Sequence, residues 1–192
     1  MALSFGLFGL HRGTNADPEV LARRAQLAES AGFESVWLGD HVTLPYGEQA
    51  FPYLPADEPR LEVVVALGYL AAVTNRVRLG LGVIVLPQRQ PVLLAKQLTT
   101  VDVLSRGRLI FGVGVGYLVP ELEALGANLA DRGARTDEYL AAIRAIWDAE
   151  APSFSGRFVQ FTNVMQRPLP VQQPHPPIVV GGSSVPAYRR AI

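Results

Sequence analysis

The sequence contains no cysteine among its 192 residues. This absence excludes disulfide bonds, thiolate metal sites and cysteine nucleophiles, and it agrees with a cytoplasmic location, which we expect for the protein. An excess of charge of one sign is also missing, because 17 Lys and Arg balance 17 Asp and Glu. Proteins that bind nucleic acids usually carry a basic stripe, so we expect no nucleic-acid partner. Several arginines near apolar segments are predicted to be solvated ends of helices and strands: Arg76, Arg78, Arg89, Arg106 and Arg108.

Long apolar runs are absent as well. No uninterrupted run approaches the roughly 18 residues that a membrane-spanning helix needs, so we expect no membrane partner. The apolar N-terminus has neither a preceding Lys or Arg nor a small-residue cleavage site, and it is predicted to be a first strand rather than a signal peptide. With 49% hydrophobic residues, the composition is that of a globular protein, and residues 1–192 are interpreted as one domain.

What the sequence does contain is a repeat of short apolar runs, each followed by a pattern typical of a helix. The runs are predicted to be strands: Leu3–Phe8, Ser35–Gly39, Val77–Leu86, Arg108–Gly114 and Pro177–Val180. Strand–helix alternation at this period predicts a parallel α/β sheet with right-handed crossovers. An open doubly wound sheet would be complete with these strands, whereas a barrel of eight would not, and the period alone does not separate the two.

Capping residues, glycines and prolines mark the segments between these strands. Asp17-Pro18 suits the start of a helix that presents Leu21, Ala25, Leu27 and Ala28 as its apolar face and ends at Gly32. Further helices are predicted over Leu61–Thr74, which is apolar nearly all round, from Pro91 to Gly107, and before Glu150. The remaining features are a long loop from Thr43 to Pro59 (with Pro45, Pro52 and Pro55), a hairpin around Gly156 and an extended segment over Arg167–Pro177.

Glycine clusters follow two of the predicted strands at their C-terminal ends, where ligands of parallel α/β proteins bind. The first is Gly112-Val113-Gly114-Val115-Gly116, and the second is Gly181-Gly182-Ser183-Ser184. Backbone N–H groups of such turns approach anions, and a following helix adds the positive end of its dipole. Each cluster is equally explained as a tight turn, with Ser as an N-cap in the second. Two such turns on adjacent strands favour a phosphate-bearing ligand.

Asp40-His41 ends the second predicted strand. A histidine at this position is suited to act as a general acid or base near neutral pH. The alternative is a partly exposed histidine that only orients a loop; from the residues alone this interpretation is favoured for His41, and more strongly for His11 and His175. No group of His, Asp and Glu has the spacing of metal ligands, so we expect no metal site.

As a set, several stretches resemble the bacterial luciferase-like family, and most closely its coenzyme F420-dependent branch. The matching stretches run in the family's order: residues 28–33, 36–41, 74–80, 94–97, 104–109, 112–116, 176–178 and 181–182. The resemblance implies a (β/α)8 TIM barrel, of which this chain would contain the first five β/α units. It also implies that the ring of F420, or alternatively FMN, lies across the strand C-termini, and that a cis peptide at Gly82-Val83 backs the ring.

The same resemblance implies roles for individual residues. His41 would be catalytic and face the reactive edge of the ring, while Asp40 would hydrogen-bond the ring. The other implied cofactor contacts are Gly82, Val83, Val85, Val115, Gly116, Tyr117, Gly181, Gly182, Ser183 and Ser184. In the family's sugar-phosphate dehydrogenase a catalytic glutamate stands where Tyr117 is, and a tryptophan stands where Pro45 is. Both differences argue against a sugar-phosphate substrate.

We therefore expect an oxidoreductase that transfers a hydride between F420 and a small organic substrate. An FMN-dependent monooxygenase of the same family is one alternative. A shortened, non-catalytic relative that binds flavin, or a fragment of a longer protein, is another. A homodimer is the expected assembly if sheet edges pair, because an open sheet exposes edge strands.

Overall fold

The structure, a computed structural model, describes residues 3–47 and 54–192. Its strands are β1 (Gly6–Phe8), β2 (Ser35–Leu38), β3 (Arg78–Leu81), β4 (Ile84–Val85), β5 (Leu109–Gly114), β6 (Phe154–Ser155), β7 (Gln160–Phe161) and β8 (Ile178–Val180). Its helices are α1 (Pro18–Ser30), α2 (Val63–Val73), α3 (Pro91–Leu104), α4 (Val119–Ala124), α5 (Arg132–Asp148) and α6 (Val185–Ala191). The predicted loop from Thr43 to Pro59 includes Pro52, which lies outside the described residues.

The main sheet is parallel throughout and its strands follow one another in chain order. The order is β1-β2-β3-β5, and both β4 and β8 pair with β5. A doubly wound sheet reverses its strand order at a switch point, and the described strands contain no such reversal. The sheet therefore follows the order of consecutive barrel units, and the doubly wound alternative is wrong.

The predicted strand Val77–Leu86 is two strands rather than one. β3 pairs with β2 and with the start of β5, whereas β4 pairs with Val113 and Gly114 at the end of β5. The peptide bond between Gly82 and Val83, which separates β3 from β4, is cis, as the family resemblance implies. Gly80 and Gly82 interrupt this apolar run in the sequence, where they predict a bulge or a close backbone approach; the structure shows in addition that the run divides into two strands.

The helices begin and end close to the predicted positions. Asp17 accepts hydrogen bonds from the N–H groups of Glu19 and Val20 at the start of α1, and Gly32 follows the helix with φ of +86°. Leu27 was predicted on the apolar face but is exposed, because the buried face of α1 is Leu21, Ala25 and Ala28. Helix α2 likewise exposes Val65, so it is not buried all round.

The outer face of the sheet forms the core with the helices. Leu79, Leu81, Phe111 and Val113 are fully shielded from solvent and belong to one hydrophobic cluster with residues of the covering helices. Trp147 of α5 packs its ring edge-on against Phe111, with centroids 6.0 Å apart. Its indole N–H donates to Thr99 Oγ1 of α3 at 2.9 Å, which satisfies a buried polar group.

The inner face carries glycine at alternate positions of β3 and β5, because successive strand residues point to opposite faces. A Cβ on Gly80 of β3 would lie 2.7 Å from Trp37 Cζ3, and a Cβ on Gly114 of β5 would overlap Val83 Cγ2. The Trp37 ring and the Val83 side chain therefore occupy the space that side chains on these strands would fill. Gly114 of β5 is therefore needed for the close approach of Val83, and Gly116 for the turn that follows the strand.

Two carboxylates, the buried Asp102 and the partly exposed Glu138, attach the C-terminal segments to the helices. Asp102 of α3 accepts hydrogen bonds from the backbone N–H groups of Val171 and Gln172, which holds the proline-rich segment. Glu138 of α5 accepts from three N–H groups of the β6–β7 hairpin, which forms around Gly156 as predicted. These contacts bring β8 alongside β5.

Two of the arginines that were predicted to be solvated are not. Arg108 donates to the carbonyl oxygens of Ala71 and Thr74 at the C-terminal end of α2 and to that of Val77 just before β3. Burial lowers the pKa of Arg108. Arg89 lies in the functional site described below. The partly buried Arg108 is thus held by carbonyl oxygens, whereas Arg89 is held by carboxylates.

We predict opposite effects for two glycine-to-alanine substitutions. Gly80→Ala should lower the free energy of unfolding by about 2 kcal/mol because the new methyl group overlaps Trp37. Gly68→Ala, within α2 and with no atom within 4 Å of its Cβ position, should raise it by about 0.5–1 kcal/mol. Urea unfolding followed by circular dichroism measures both, and equal effects of the two substitutions would contradict the packing of Trp37.

Candidate functional site

A cavity of about 260 Å³ lies at the C-terminal ends of β1, β2, β3 and β4. It brings together many of the residues predicted from the sequence: Asp40, His41, Gly82, Val83, Val85, Gly116 and Tyr117. It also includes residues that the prediction missed: Phe8, His11, Arg12, Gly39, Leu54 and Arg60. The lining combines apolar walls with a few polar groups at the strand tips, which is typical of small-molecule sites.

Asp40 is the most deeply buried acidic group at this cavity, with a side chain 2% exposed. One carboxylate oxygen accepts the N–H of Val85 at 3.0 Å, and the other accepts from Arg89 at 2.5 Å. Burial raises the pKa of Asp40, and the Arg89 charge and the Val85 N–H oppose that rise. Both oxygens already have a protein partner, so any ligand contact would be additional to these bonds.

Arg89 connects Asp40 to helix α2. Its second terminal nitrogen donates to Glu62 Oε1 at 2.6 Å, and Glu62 Oε2 accepts the N–H of Val65 in the first turn of α2. The side chain of Arg89 is only 14% exposed, which corrects the expectation of a solvated arginine. The physical reason is that Asp40 needs a charged partner once it is buried.

His41 is held by a carboxylate that sequence reasoning did not identify. His41 Nδ1 lies 2.9 Å from Glu121 Oε2, and the glutamate side chain is 1% exposed. Glu121 Oε1 accepts the backbone N–H of Val42 at 2.6 Å and that of Thr43 at 3.2 Å. The Tyr117 ring lies edge-on to the imidazole, with centroids 6.1 Å apart.

His11 is buried, and the expectation that it merely orients an exposed loop is wrong. The residue is 3% exposed and lines the same cavity as His41. Its Nδ1 has no hydrogen-bond partner within the described residues. Burial lowers the pKa of His11 to about 4, with a further contribution from the charge of Arg12. The ring is therefore neutral at pH 7.

A second, smaller cavity of about 60 Å³ lies between the tips of β5 and β8. Of the predicted residues it contains Val115, Gly181, Gly182 and Ser184, and it adds Thr136 and Arg190. Ser183 is exposed and lines neither of these two cavities. The N–H of Gly181 donates to the Val113 carbonyl at 2.8 Å, which closes the turn against β5. Val115 of the first glycine cluster therefore meets Gly181 and Gly182 of the second at this cavity, whereas Gly116 lines the larger one.

The larger cavity fits a planar aromatic cofactor. Val83 and Val85 form an apolar wall, and Gly82 and Gly116 add no side chain that would block it. Asp40 and His41 supply hydrogen-bonding groups at its edge. Within residues 3–47 and 54–192, no three His, Asp or Glu side chains cluster as metal ligands would. None of the helices in those ranges is both long and apolar enough to cross a bilayer.

The missed residues carried weak signals in the sequence. Glu121 stands in the short helix α4, whose Val119-Pro120 start is a recognisable helix N-terminus. Its pairing with His41 joins positions 80 residues apart, and no local pattern reveals such a contact. His11 follows an apolar strand, and only its burial in the fold distinguishes it from a loop histidine.

We predict that removing the Arg89 guanidinium is costly. Arg89→Met should lower the free energy of unfolding by about 3 kcal/mol, because it leaves the Asp40 carboxylate buried without its charged partner. Arg76→Met is the matched control at an exposed arginine and should change stability by less than about 0.5 kcal/mol. Denaturant unfolding at neutral pH measures both variants. Similar losses in the two would show that Arg89 does not compensate Asp40.

His11 makes stability depend on pH in a defined window. Above pH 6.5 the His11 ring is neutral in both the folded and the unfolded chain. Between pH 6.5 and about 4 only the unfolded chain binds the proton, because burial lowers the pKa of His11 in the folded chain. As the pH falls through this range, the free energy of unfolding therefore falls by about 1.4 kcal/mol per pH unit, or about 3 kcal/mol in all. His11→Asn should remove this component, whereas His175→Asn should retain it. Urea unfolding at pH 7, 6 and 5 tests the difference, and identical pH slopes for wild type and His11→Asn would contradict it.

Comparison with known proteins identifies relatives of this chain. Residues 2–192 match the sequence profile of the luciferase-like monooxygenases. An uncharacterized protein of Mycobacterium tuberculosis (strain H37Rv) is 38% identical over 170 residues, covering 84% of this chain and 60% of the relative. The FMNH2-dependent dimethylsulfone monooxygenase of Pseudomonas putida is 32% identical over 178 residues, covering 91% of this chain and 46% of the enzyme.

Solved structures agree with these sequence relationships. The monooxygenase RslO1 from Streptomyces bottropensis superposes with a TM-score of 0.76 at 31% identity, over 93% of this chain and 53% of that one. An F420-dependent secondary alcohol dehydrogenase shares the fold with a TM-score of 0.81 at 21% identity, over all of this chain and 56% of that one. The chain thus spans about half the length of these neighbours, and its strands and helices are those of part of a TIM barrel. With a profile match across nearly its whole length, the chain belongs to the luciferase-like monooxygenase family.

Proposed function

We propose that this chain forms the cofactor-binding part of an oxidoreductase that transfers a hydride between coenzyme F420 and a small organic substrate. The observation that carries the proposal is the cavity at the strand tips, where His41 and Asp40 lie beside the apolar wall of Val83 and Val85. Bound F420 would supply the hydride chemistry, and the protein would supply orientation and proton transfer.

The residues of the larger cavity have separable roles in this proposal. Val83 and Phe8 present apolar surface to one side of the ligand and exclude water from it. Asp40 fixes the N–H of Val85 at the start of the wall. His41 gives or takes the proton that accompanies hydride transfer, since a histidine within reach of the substrate serves as a general acid or base near neutral pH.

The smaller cavity is the proposed contact for the phosphate-bearing part of the cofactor. Backbone N–H groups of a glycine turn are suited to approach an anion closely. Arg190 contributes positive charge at its wall, although this arginine also pairs with Asp137. The predicted contacts Val115, Gly181, Gly182 and Ser184 belong to this part of the proposal, and Ser183 would serve only through its backbone.

A second candidate is an FMN-dependent monooxygenase. It is supported by the 32% identity to the dimethylsulfone monooxygenase, a relative that is named for its use of FMNH2. The same cavity would hold the flavin ring, and the hydrogen-bonding edge would be the same. The two candidates differ in the cofactor that binds and in the use of oxygen.

A titration of the purified chain with F420 and with FMN, followed by fluorescence, tests both. We expect F420 to bind, and we expect His41→Gln to keep that affinity within about threefold while turnover with candidate alcohols falls by roughly 100-fold. His175→Gln, outside the cavity, is the matched control and should keep both. Binding of FMN alone with oxygen consumption would replace the first candidate by the second. If neither cofactor bound, the proposed function would be wrong.

A further inference from the structure

Glu121 sits where a carboxylate can decide the protonation pattern of His41. Its two oxygens have different partners: Oε1 accepts the backbone N–H groups of Val42 and Thr43, and Oε2 faces His41 Nδ1 at 2.9 Å. The side chain is 1% exposed, so water does not compete for these positions. A residue that is this buried and bonded on both oxygens has a single orientation.

The packing of α4 keeps that orientation. The neighbouring Leu122 is fully buried in a small cluster with Val85 and Ala127, and this contact seats α4 against the tip of β4. Gly116 permits the approach, because a Cβ at that position would lie 3.2 Å from Leu122 Cδ2. The carboxylate is therefore placed by apolar packing on the residue next to it, and the loop after β2 is attached to it through Val42 and Thr43.

We propose that Glu121 is a positioning residue that fixes the tautomer of His41. A carboxylate only accepts hydrogen bonds, so the proton of the neutral imidazole must be on Nδ1. The lone pair is then on Nε2, the ring nitrogen that has no partner among the described residues. His41 presents a hydrogen-bond acceptor to its cavity ligand and is ready to take a proton there. The glutamate does for this histidine what a buried acid does in a catalytic triad, where the acid holds the ring and its tautomer.

Glu121 is also relevant to Tyr117, which stands where the sugar-phosphate dehydrogenase of the family has its catalytic glutamate. The sequence indicates that the catalytic glutamate of the sugar-phosphate dehydrogenase is missing, and the structure places a different carboxylate four residues later, on the Nδ1 side of His41. This acid touches the histidine rather than the cavity, since it does not line that cavity. Its function is thus to orient the histidine and not to exchange protons with a ligand.

A substitution that reverses the hydrogen-bond polarity tests the inference directly. In Glu121→Gln the amide oxygen should keep accepting from Val42 and Thr43, which turns the amide NH2 toward His41 Nδ1. The histidine should then move its proton to Nε2. Glu123→Gln makes the same chemical change at an exposed position of the same helix and should leave the tautomer unaltered.

The measurement is the imidazole ¹⁵N spectrum of the purified chain at a pH where the ring is neutral. With three histidines in the chain, His41→Gln identifies the His41 signals by their loss. We expect a protonated Nδ1 in the wild type and in Glu123→Gln, and a protonated Nε2 in Glu121→Gln. A wild-type His41 protonated on Nε2 would overturn the inference even if Glu121→Gln did not fold. So would an unchanged tautomer in that variant.

A second experiment measures kinetics. It rests on the proposed function, and its outcome is independent of the ¹⁵N measurement. In the loaded enzyme Glu121→Gln should lower kcat by about 100-fold or more, with cofactor affinity kept within about threefold. If the tautomer switches as expected but no cofactor binds, the proposed function is wrong while the role of Glu121 stands. A switched tautomer with unchanged kcat in an active enzyme would show that His41 is not the proton carrier.

Discussion

The buried carboxylate of Asp40 is the interaction on which the geometry of the larger cavity depends. It holds the N–H of Val85 and the guanidinium of Arg89, and through Arg89 it is tied to Glu62 at the start of α2. The Asp40 carboxylate therefore links the end of β2, the end of β4 and, through Arg89, the first turn of α2. Because a charge so far from water is costly without its partners, these elements are coupled rather than merely adjacent.

The two faces of the sheet serve different purposes for a related reason. Outward residues such as Leu81 and Phe111 are fully buried under helices and make the fold stable. Inward positions are mostly glycine, and the space above them is occupied by Trp37 and Val83. A few large side chains therefore shape the inner surface. They can lie against the sheet because the strand residues beneath them are glycines.

The two histidines that line the larger cavity have opposite environments. His41 faces the Glu121 carboxylate through Nδ1, whereas His11, which lines the same cavity, is buried and neutral at pH 7. The same residue type thus supplies a group suited to proton transfer and a group that does not ionise at neutral pH. The difference arises from the neighbours, namely Glu121 for one and burial with Arg12 for the other.

Sequence patterns predicted most of the helices, the parallel sheet and the grouping of the strand tips. Period and capping are local properties, and Asp17-Pro18, Gly32 and the apolar runs express them directly. Gly80 and Gly82 predicted a bulge or a close approach within Val77–Leu86, but not the division into β3 and β4, since a strand buried on both faces has no polar residue to mark where the pairing ends. The burial of Arg89, Arg108 and His11 was missed because each depends on partners far along the chain.

By itself, then, the sequence determined which segments form strands and helices, and it indicated that Asp40, His41 and the glycine clusters lie at one edge of the sheet. That much follows because residue spacing and turn chemistry act over a few residues. Only the tertiary structure decided that Glu121 meets His41, that Arg89 bridges Asp40 to α2, and that Gly181 and Gly182 border a cavity separate from the one that Gly116 lines. Those facts depend on which strand tips become neighbours and which side chains lose contact with water, and both are set by packing across the whole sheet.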